Sequence, residues 1–568
     1  MCDREEESAG PSGGAREPIW ARRMTRRGFL AGAGTVGAAL AAACTGRSAD
    51  RPPGLALPND LPSPGPGGMT GSLPKEVLLR VWRGAHPTRA GEMVYVPAGW
   101  NFMDGGISHS VPWPYMQRVP MLWYGPGIIR SEGRVARPVT SADVASTLGL
   151  LTRHRFDAPD GEPMEEILEP DAEPPRLVIV FVWDGAGRYV LDLWPDDWPN
   201  LGRLTSKGTW YENATVGSSP STTAPIHATM GTGAFPRRHG VLDSYIRFED
   251  GVVGDSWSRG PGAFLLPTFA DDYGEATRHR ARIGALASLA WHLGMMGGGR
   301  AAHPRSTQLA VLRQGTNDTG AEGARWSLPD SAADYYRFPA YLDGLPPVDT
   351  YIPEADASDG TVDGTWMGHP FEELRSGFHS PARIPFHQRA IEEVILREGF
   401  GRDEITDLLF VNSKFIDGVG HRYTATGAEM GAAVRAQDAA LPGFLKFLDR
   451  TVGRGRWALL LTADHGHTAS PDVSGGFRVK LPRLEALLKG LFPGGRPVVE
   501  RVRPSWAFLN DAEVVRRGAD LAAVSAFVTD LTKEQLAQDP SGIAASDRAQ
   551  RPFAAAGPTA GLDEIVTP

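Results

Sequence analysis

The chain has 568 residues, 41% hydrophobic and 22% charged, with a formal net charge of -9. This is globular composition with material for a large core, and it leaves no polybasic footprint for nucleic acid or an anionic membrane surface. The two cysteines, Cys2 and Cys44, both lie in the first 44 residues, so a disulfide framework or a cysteine metal site in the body is excluded.

The chain opens on a targeting pattern. Thr25-Arg26-Arg27-Gly28-Phe29-Leu30 reads as a twin-arginine export signal, and Leu30 to Ala43 is a weakly apolar Gly/Ala-rich segment too short to span a bilayer comfortably. Leu40-Ala41-Ala42-Ala43-Cys44 resembles a lipobox, which implies a lipid on Cys44 as the one membrane attachment, at the outer face of the cytoplasmic membrane. An ordinary cleaved signal with a secreted or periplasmic product is the alternative, and translation starts at Met1 or Met24. From Thr45 to about Pro74 the composition is that of a Pro/Gly-rich tether. Residues 75–568 read as a single catalytic-sized domain.

Within it, GGISHSVPWPYMQRVPMLWYGPG, from Gly105 to Gly127, leads into a first apolar run, Val119–Tyr124. Three more follow at Leu177–Trp183, Leu408–Val411 and Trp457–Leu461. Continuous rather than alternating apolarity predicts strands buried on both faces, as in a parallel sheet. Helical candidates lie between them, among them Ala432–Val452, interrupted by Pro442. The expected fold is therefore α/β, a mostly parallel central sheet with helices on both faces. The region 250–402, rich in Trp, Tyr, Gly and Pro, is expected to be an insertion that shapes a substrate pocket.

In such sheets functional groups collect beyond the carboxyl ends of strands. Asp184 stands there after LVIVFVW, Asp464 and His465 after WALLLTA, and Asp417 and His421 shortly after LLFVNSKF. Carboxylates mixed with imidazoles are the donor set of zinc or a similar ion. Five donors exceed one tetrahedral ion, so two divalent ions are expected.

A nucleophile remains to be found. The segment SSPSTTAPIHATMGTGAFPRRHG carries Thr223-Ala224-Pro225-Ile226-His227, then Thr232-Gly233, Pro236 and His239-Gly240. This resembles the T-x-P-x-H segment of nucleotide pyrophosphatases/phosphodiesterases of the alkaline phosphatase superfamily. WDG at Trp183–Gly185, PNLGRL at Pro199–Leu204, DGVGH at Asp417–His421 and TADHG at Thr462–Gly466 agree with it, in that superfamily's order. The resemblance implies an alkaline-phosphatase-like fold. It also implies one ion held by Asp184, Asp464, His465 and the Thr223 hydroxyl, and another held by Asp417, His421 and a third histidine. Metal coordination would activate Thr223 for attack on phosphorus through a phospho-threonine intermediate.

In the superfamily the third histidine lies downstream of the DHG motif, but no histidine follows His467 in this chain. The stretch from Met93 to Ile128, followed by PVTSADVASTLGLL at Pro138–Leu151, resembles the superfamily's closing segment instead. A circular permutation is therefore expected, with His109 as the third histidine and residues 75–168 finishing the sheet. His227 and His239 are expected to brace the nucleophile loop. His467 is expected to stand behind the ligands or at the surface, as a fallback ligand. His279, His292, His303, His369, His379 and His387 are given no role.

Two departures bear on the substrate. Where nucleotide pyrophosphatases place an asparagine after the nucleophile, this chain has Ser244. The Asp-Ser-Ala context of phosphomonoesterases and the Cys-x-Pro-x-Arg of sulfatases are both missing. The sequence favours an exported two-metal phosphodiesterase or pyrophosphatase acting on a phosphate ester. A phosphomonoesterase or envelope headgroup transferase is the alternative, and a lipid-anchored, non-catalytic binding protein of the same fold is the third reading.

Overall fold

The computed structural model describes residues 73–104, 109–297, 308–314, 325–328, 332–374 and 378–566, with Met69. The export signal, Cys44, nearly all of the Pro/Gly-rich tether and His303 lie outside the described residues. Everything described falls within one unit, Gly54–Pro568.

The strands of the two larger sheets, in chain order, are β1 (Met93–Pro97), β2 (Met121–Tyr124), β3 (Gly133–Val135), β4 (Leu177–Trp183), β5 (Thr209–Tyr211), β6 (Ile283–Ala287), β7 (Leu309–Gln314), β8 (Arg325–Ser327), β9 (Asp407–Ser413), β10 (Trp457–Thr462), β11 (Val499–Val502), β12 (Trp506–Leu509) and β13 (Phe553–Pro558). Nine of them form the central sheet in the order β8-β7-β6-β9-β4-β10-β2-β5-β3. The middle five, β7-β6-β9-β4-β10, run parallel. At the ends, β8 is antiparallel to β7, and β2 is antiparallel to both β10 and β5. Every residue of β4, β9 and β10 is buried, which requires cover on both faces and accounts for their unbroken apolar sequences. Each such Leu, Ile or Val side chain contributes about 1.5–3 kcal/mol of transfer free energy.

Three details differ from the sequence reading. The run at Val119–Tyr124 forms a strand, but an antiparallel one. The helix around Pro442 is continuous from Ala428 to Leu448; its apolar face, with Met430, Val434, Leu441, Phe444 and Leu448 buried, outweighs the backbone bond that proline forfeits. Part of the region 250–402 is core rather than pocket rim, because β6 pairs directly with β9 and carries β7 and β8 outward.

Six helices matter for the site: α1 (Lys75–Gly84), α2 (Asp143–Thr152), α3 (Thr223–Thr232), α4 (Phe415–Tyr423), α5 (Ala428–Leu448) and α6 (Leu562–Val566). A second sheet, in the order β11-β12-β1-β13, places β1 between two strands from the far end of the chain. Trp82 Nε1 of α1 donates to Asp563 Oδ1 of α6 at 2.8 Å. Among the described residues no helix is long and apolar enough to cross a membrane.

Candidate active site

The carboxyl ends of three adjacent parallel strands deliver the acidic groups. Asp184 follows β4, and Asp464 lies just beyond β10. Beyond β9 the chain enters α4 at Lys414, and Asp417 and His421, four residues apart, fall on one helix face. From another direction comes α3, which begins at Thr223 and aims its first-turn amides and positive dipole end at the same place.

His109 reaches this place from the N-terminal part of the chain. Its Nδ1–H donates to the Ser221 carbonyl at 3.0 Å, and Ser221 Oγ donates back to the His109 carbonyl at 2.8 Å. The nucleophile loop and the His109 segment are thus stitched together two residues before Thr223. His109 Nε2 then faces Asp417 Oδ1 at 3.6 Å, and its ring stacks on His465 at 3.5 Å between centroids.

Three groups of donors lie close enough to share an ion: His109 with Asp417 and His421, Asp417 with His465 and His467, and Asp184 with Asp464 and His465. His421 Nε2 is 3.3 Å from Asp417 Oδ2, and His467 Nε2 is 3.2 Å from Asp417 Oδ1. Hydrogen-bond bookkeeping shows why a cation suits them. His109 uses its Nδ1–H on a backbone carbonyl, so its Nε2 lone pair points at a carboxylate oxygen, and His465 likewise spends Nδ1–H on the Gly466 carbonyl and turns Nε2 toward carboxylates. Oδ1 of Asp417, Oδ2 of Asp464, Nε2 of His465 and both nitrogens of His467 are buried without a hydrogen bond, while Oδ2 of Asp417 meets only the Lys414 ammonium, at 2.7 Å, and His421. Buried acceptors facing one another are costly, and a divalent ion between them removes the cost.

The electrostatics agree. Burial, then the charge of Asp184, pushes the Asp464 carboxyl up to about 7. Burial alone would depress His465, but the carboxylates of Asp464, Asp184 and Asp417 outweigh it and raise the imidazole to about 9. Burial, with the neighbouring His465, holds His109 well below the usual imidazole range.

Three participants carry no signal in the sequence reading. Lys414, almost fully buried, places Nζ 3.0 and 3.1 Å from the two oxygens of Asp184, 3.1 Å from Thr223 Oγ1 and 2.7 Å from Asp417 Oδ2. Burial works against its charge, but Asp184, Asp417 and Asp464 raise it above the ordinary lysine range. His292 accepts the Leu289 N–H on Nδ1 and so donates Nε2–H to Asp184 Oδ2 at 3.2 Å. Asn412 Nδ2 donates to Asp184 Oδ2 at 2.9 Å and lies 3.0 Å from His227 Nε2.

The remaining histidines sort themselves. His227 Nδ1–H donates to the Thr223 carbonyl at 2.8 Å, and His239 Nε2 pairs with Thr229 Oγ1 at 3.1 Å, both bracing α3. His467 is fully buried rather than at the surface. A Cβ on Gly185, whose φ is +77°, would lie 2.6 Å from its Nε2, and one on Gly420 would lie 2.4 Å from the ring. The two glycines make room for that imidazole. Ser244 is buried beside Asp243, whose Oδ1 accepts from the Ser244 N–H at 2.7 Å and lies 3.5 Å from the Thr222 hydroxyl.

A family model described as Type I phosphodiesterase / nucleotide pyrophosphatase matches residues 178–535, including the strand ends that carry Asp184, Asp417 and Asp464 and the helix that opens at Thr223. The chain belongs to that family. The match leaves His109 and the rest of residues 75–168 outside it. Among curated proteins the chain is similar to alkaline phosphatase PhoV of Synechococcus elongatus, 26% identical over 50% of this chain and 57% of that protein. It is also similar to a calcium-transporting ATPase of Myroides odoratus, 25% identical over 53% and 61%, and to alkaline phosphatase PafA of Elizabethkingia meningoseptica, 23% identical over 51% and 60%. The matched part thus spans about three fifths of these relatives' own length. Among solved structures, wild-type alkaline phosphatase PafA aligns with a TM-score of 0.47 at 17% identity, covering 66% of this chain and 82% of that one.

Proposed function

We propose that this protein is an exported phosphoric ester hydrolase that cleaves phosphodiester or pyrophosphate bonds with Thr223 as nucleophile, assisted by divalent metal. The observation that carries the reading is the position of Thr223 Oγ1. It sits at the N-terminus of α3 and 3.1 Å from the Lys414 ammonium, beside a buried cluster of carboxylates and imidazoles with unpartnered lone pairs. His109, Asp417 and His421, with His467 beside them, would hold a divalent ion, zinc by the chemistry of the donors, and Asp184, Asp464, His465 and the Thr223 hydroxyl form the second expected set. A bound dication supplies Lewis-acid stabilisation of charge on phosphoryl oxygens and lowers the pKa of an oxygen it binds.

The protein's own groups do the rest. The α3 amides and Lys414 present positive potential to the phosphoryl oxygens. Thr223 Oγ1 forms a bond to phosphorus as the bond to the leaving oxygen breaks, and the leaving oxygen takes up the proton that the hydroxyl gives up. Water then attacks the phospho-threonine, the bond between phosphorus and Oγ1 breaks, and one of the water's protons restores the hydroxyl while its oxygen leaves with the phosphate. His227 and Asn412 hold the first turn of α3 and Asp184 in register through their shared hydrogen bonds.

The chain order fits a circular permutation of the family arrangement. Residues 75–168 supply His109 and the strand β2 on the flank of β10, while α1 and α6 meet through Trp82 and Asp563. The parts of 250–402 outside the sheet are assigned to the substrate pocket. The twin-arginine signal and a lipid on Cys44 would place the enzyme at the outer face of the cytoplasmic membrane.

A second reading, phosphomonoester hydrolysis, draws on the names of two relatives, both alkaline phosphatases, and on Ser244 standing where nucleotide pyrophosphatases have asparagine. Turnover of a nitrophenyl phosphodiester against the matching monoester separates them. The diester is expected to be the better substrate by kcat/KM, and a monoester preference of orders of magnitude would overturn the diesterase assignment.

A further inference from the structure

Asp184 has little left to offer an ion. Its Oδ2 accepts from His292 Nε2–H, Asn412 Nδ2–H and Lys414 Nζ, and its Oδ1 accepts from Lys414 Nζ and faces His465 Nε2 at 3.4 Å. Unpartnered atoms remain on Asp464 and His465 beside it, and on Asp417 and His467 on the side of His109 and His421. Between the two sides stands the Lys414 ammonium, in reach of Asp184, Asp417 and Thr223 Oγ1 at once. That is the position a dication would take if it were held by Asp184 and the nucleophile.

We propose that the Lys414 ammonium takes the place of the dication beside Thr223, so that the centre holds one divalent ion, on the side of Asp417, His109, His421 and His467. The inference rests on the metal-assisted reading of the site and replaces its two-ion form. Lys414 touches the nucleophile directly, so it is a catalytic residue. A point charge fixed by Asp184, it stabilises negative charge on Thr223 Oγ1 without needing an ion to be recruited there.

The test is an ion count on the full-length protein, reconstituted with excess zinc, desalted and measured by elemental analysis. Wild type is expected to hold one zinc per chain. Lys414→Gly, which opens the position and removes its charge, is expected to hold two, whereas Lys414→Met, which removes the charge but fills the space, should hold one. Two zinc ions in the wild type, or none, would overturn the proposal. So would a folded Lys414→Gly protein that still holds one. If that variant does not fold, a zinc-edge anomalous map of wild-type crystals decides. A single peak at Asp417, with Nζ of Lys414 within hydrogen-bond distance of Asp184 and Thr223, supports the proposal, and a second peak between Asp184 and Thr223 overturns it. The counts are independent of turnover: an active enzyme with two ions would sink this inference and leave the hydrolase reading standing, and an inactive protein with one ion would do the reverse.

Discussion

The imidazole of His109 and the carboxylate of Asp417 face each other at 3.6 Å across the cluster, although they come from opposite parts of the chain. His109 Nδ1–H is committed to the Ser221 carbonyl, so the nitrogen facing Asp417 is an acceptor, and two acceptors meet. A cation between them turns repulsion into attraction. His109→Ala is therefore expected to weaken zinc affinity by more than the roughly 10–100-fold typical of losing an outer-sphere partner. Isothermal titration of zinc into both proteins measures it, and an unchanged affinity would remove His109 from the site.

Thr223 contributes the reacting oxygen. Thr223→Ala is expected to lower kcat by at least about 10³-fold, the scale seen when a nucleophile is removed, while the zinc content stays as in the wild type. Full turnover in that variant would assign the nucleophile elsewhere.

Removing metal should also destabilise the fold, because the carboxylate and imidazole lone pairs are left facing one another in a buried space. At zinc 100-fold above its Kd the folded state gains about 2.7 kcal/mol over the apo protein, read as a rise in the thermal midpoint of several degrees. The midpoint should fall again with a chelator and recover with added zinc. A midpoint indifferent to zinc would contradict a built site.

His239 gives a pH signature outside the metal cluster. Burial holds its imidazole down at about 3, and its Nδ1 accepts the Val241 N–H at 3.1 Å, so protonation breaks a hydrogen bond inside the α3 brace. The unfolded chain takes up this proton near pH 6.5 and the folded chain only near 3. Between those values the unfolded state binds more protons, so stability falls as the pH falls. The contribution is fully present above pH 6.5, and about 2 kcal/mol of it is gone at pH 5. Denaturation midpoints measured from pH 7 to 4 should decline more steeply in the wild type than in His239→Gln. Parallel declines would show that His239 does not report this step.

Much of the sheet was legible because its central strands are buried on both faces and so keep unbroken apolar runs, as at Leu177–Trp183. The direction of Val119–Tyr124 was not, since a buried strand looks the same in either direction and only pairing with β10 decides it. Asp184, Asp417, His421, Asp464 and His465 could be picked out because each follows a strand at short range. His109 could be named because the rest of the pattern lacked a histidine, and the structure sets it beside Asp417. Lys414 sits three residues before Asp417, a spacing that carries charges onto one helix face, yet a lysine at a strand end ordinarily points to water. Its burial depends on carboxylates that only the folded sheet assembles. His292 was out of reach for another reason. The turn that carries it packs backbone to backbone on α3, where a Cβ on Gly231 would lie 2.3 Å from the Gly294 carbonyl and one on Gly294 would lie 2.7 Å from the Ala228 nitrogen. A contact that depends on two distant glycines leaves no periodic trace.

The most direct measurement is acid-quench mass spectrometry of the zinc-loaded protein during turnover of a phosphodiester. A phosphoryl adduct is expected on the peptide that contains Thr223, appearing within the first turnovers and missing from Thr223→Ala. Steady hydrolysis with that peptide unmodified, or with the adduct on another residue, would contradict it.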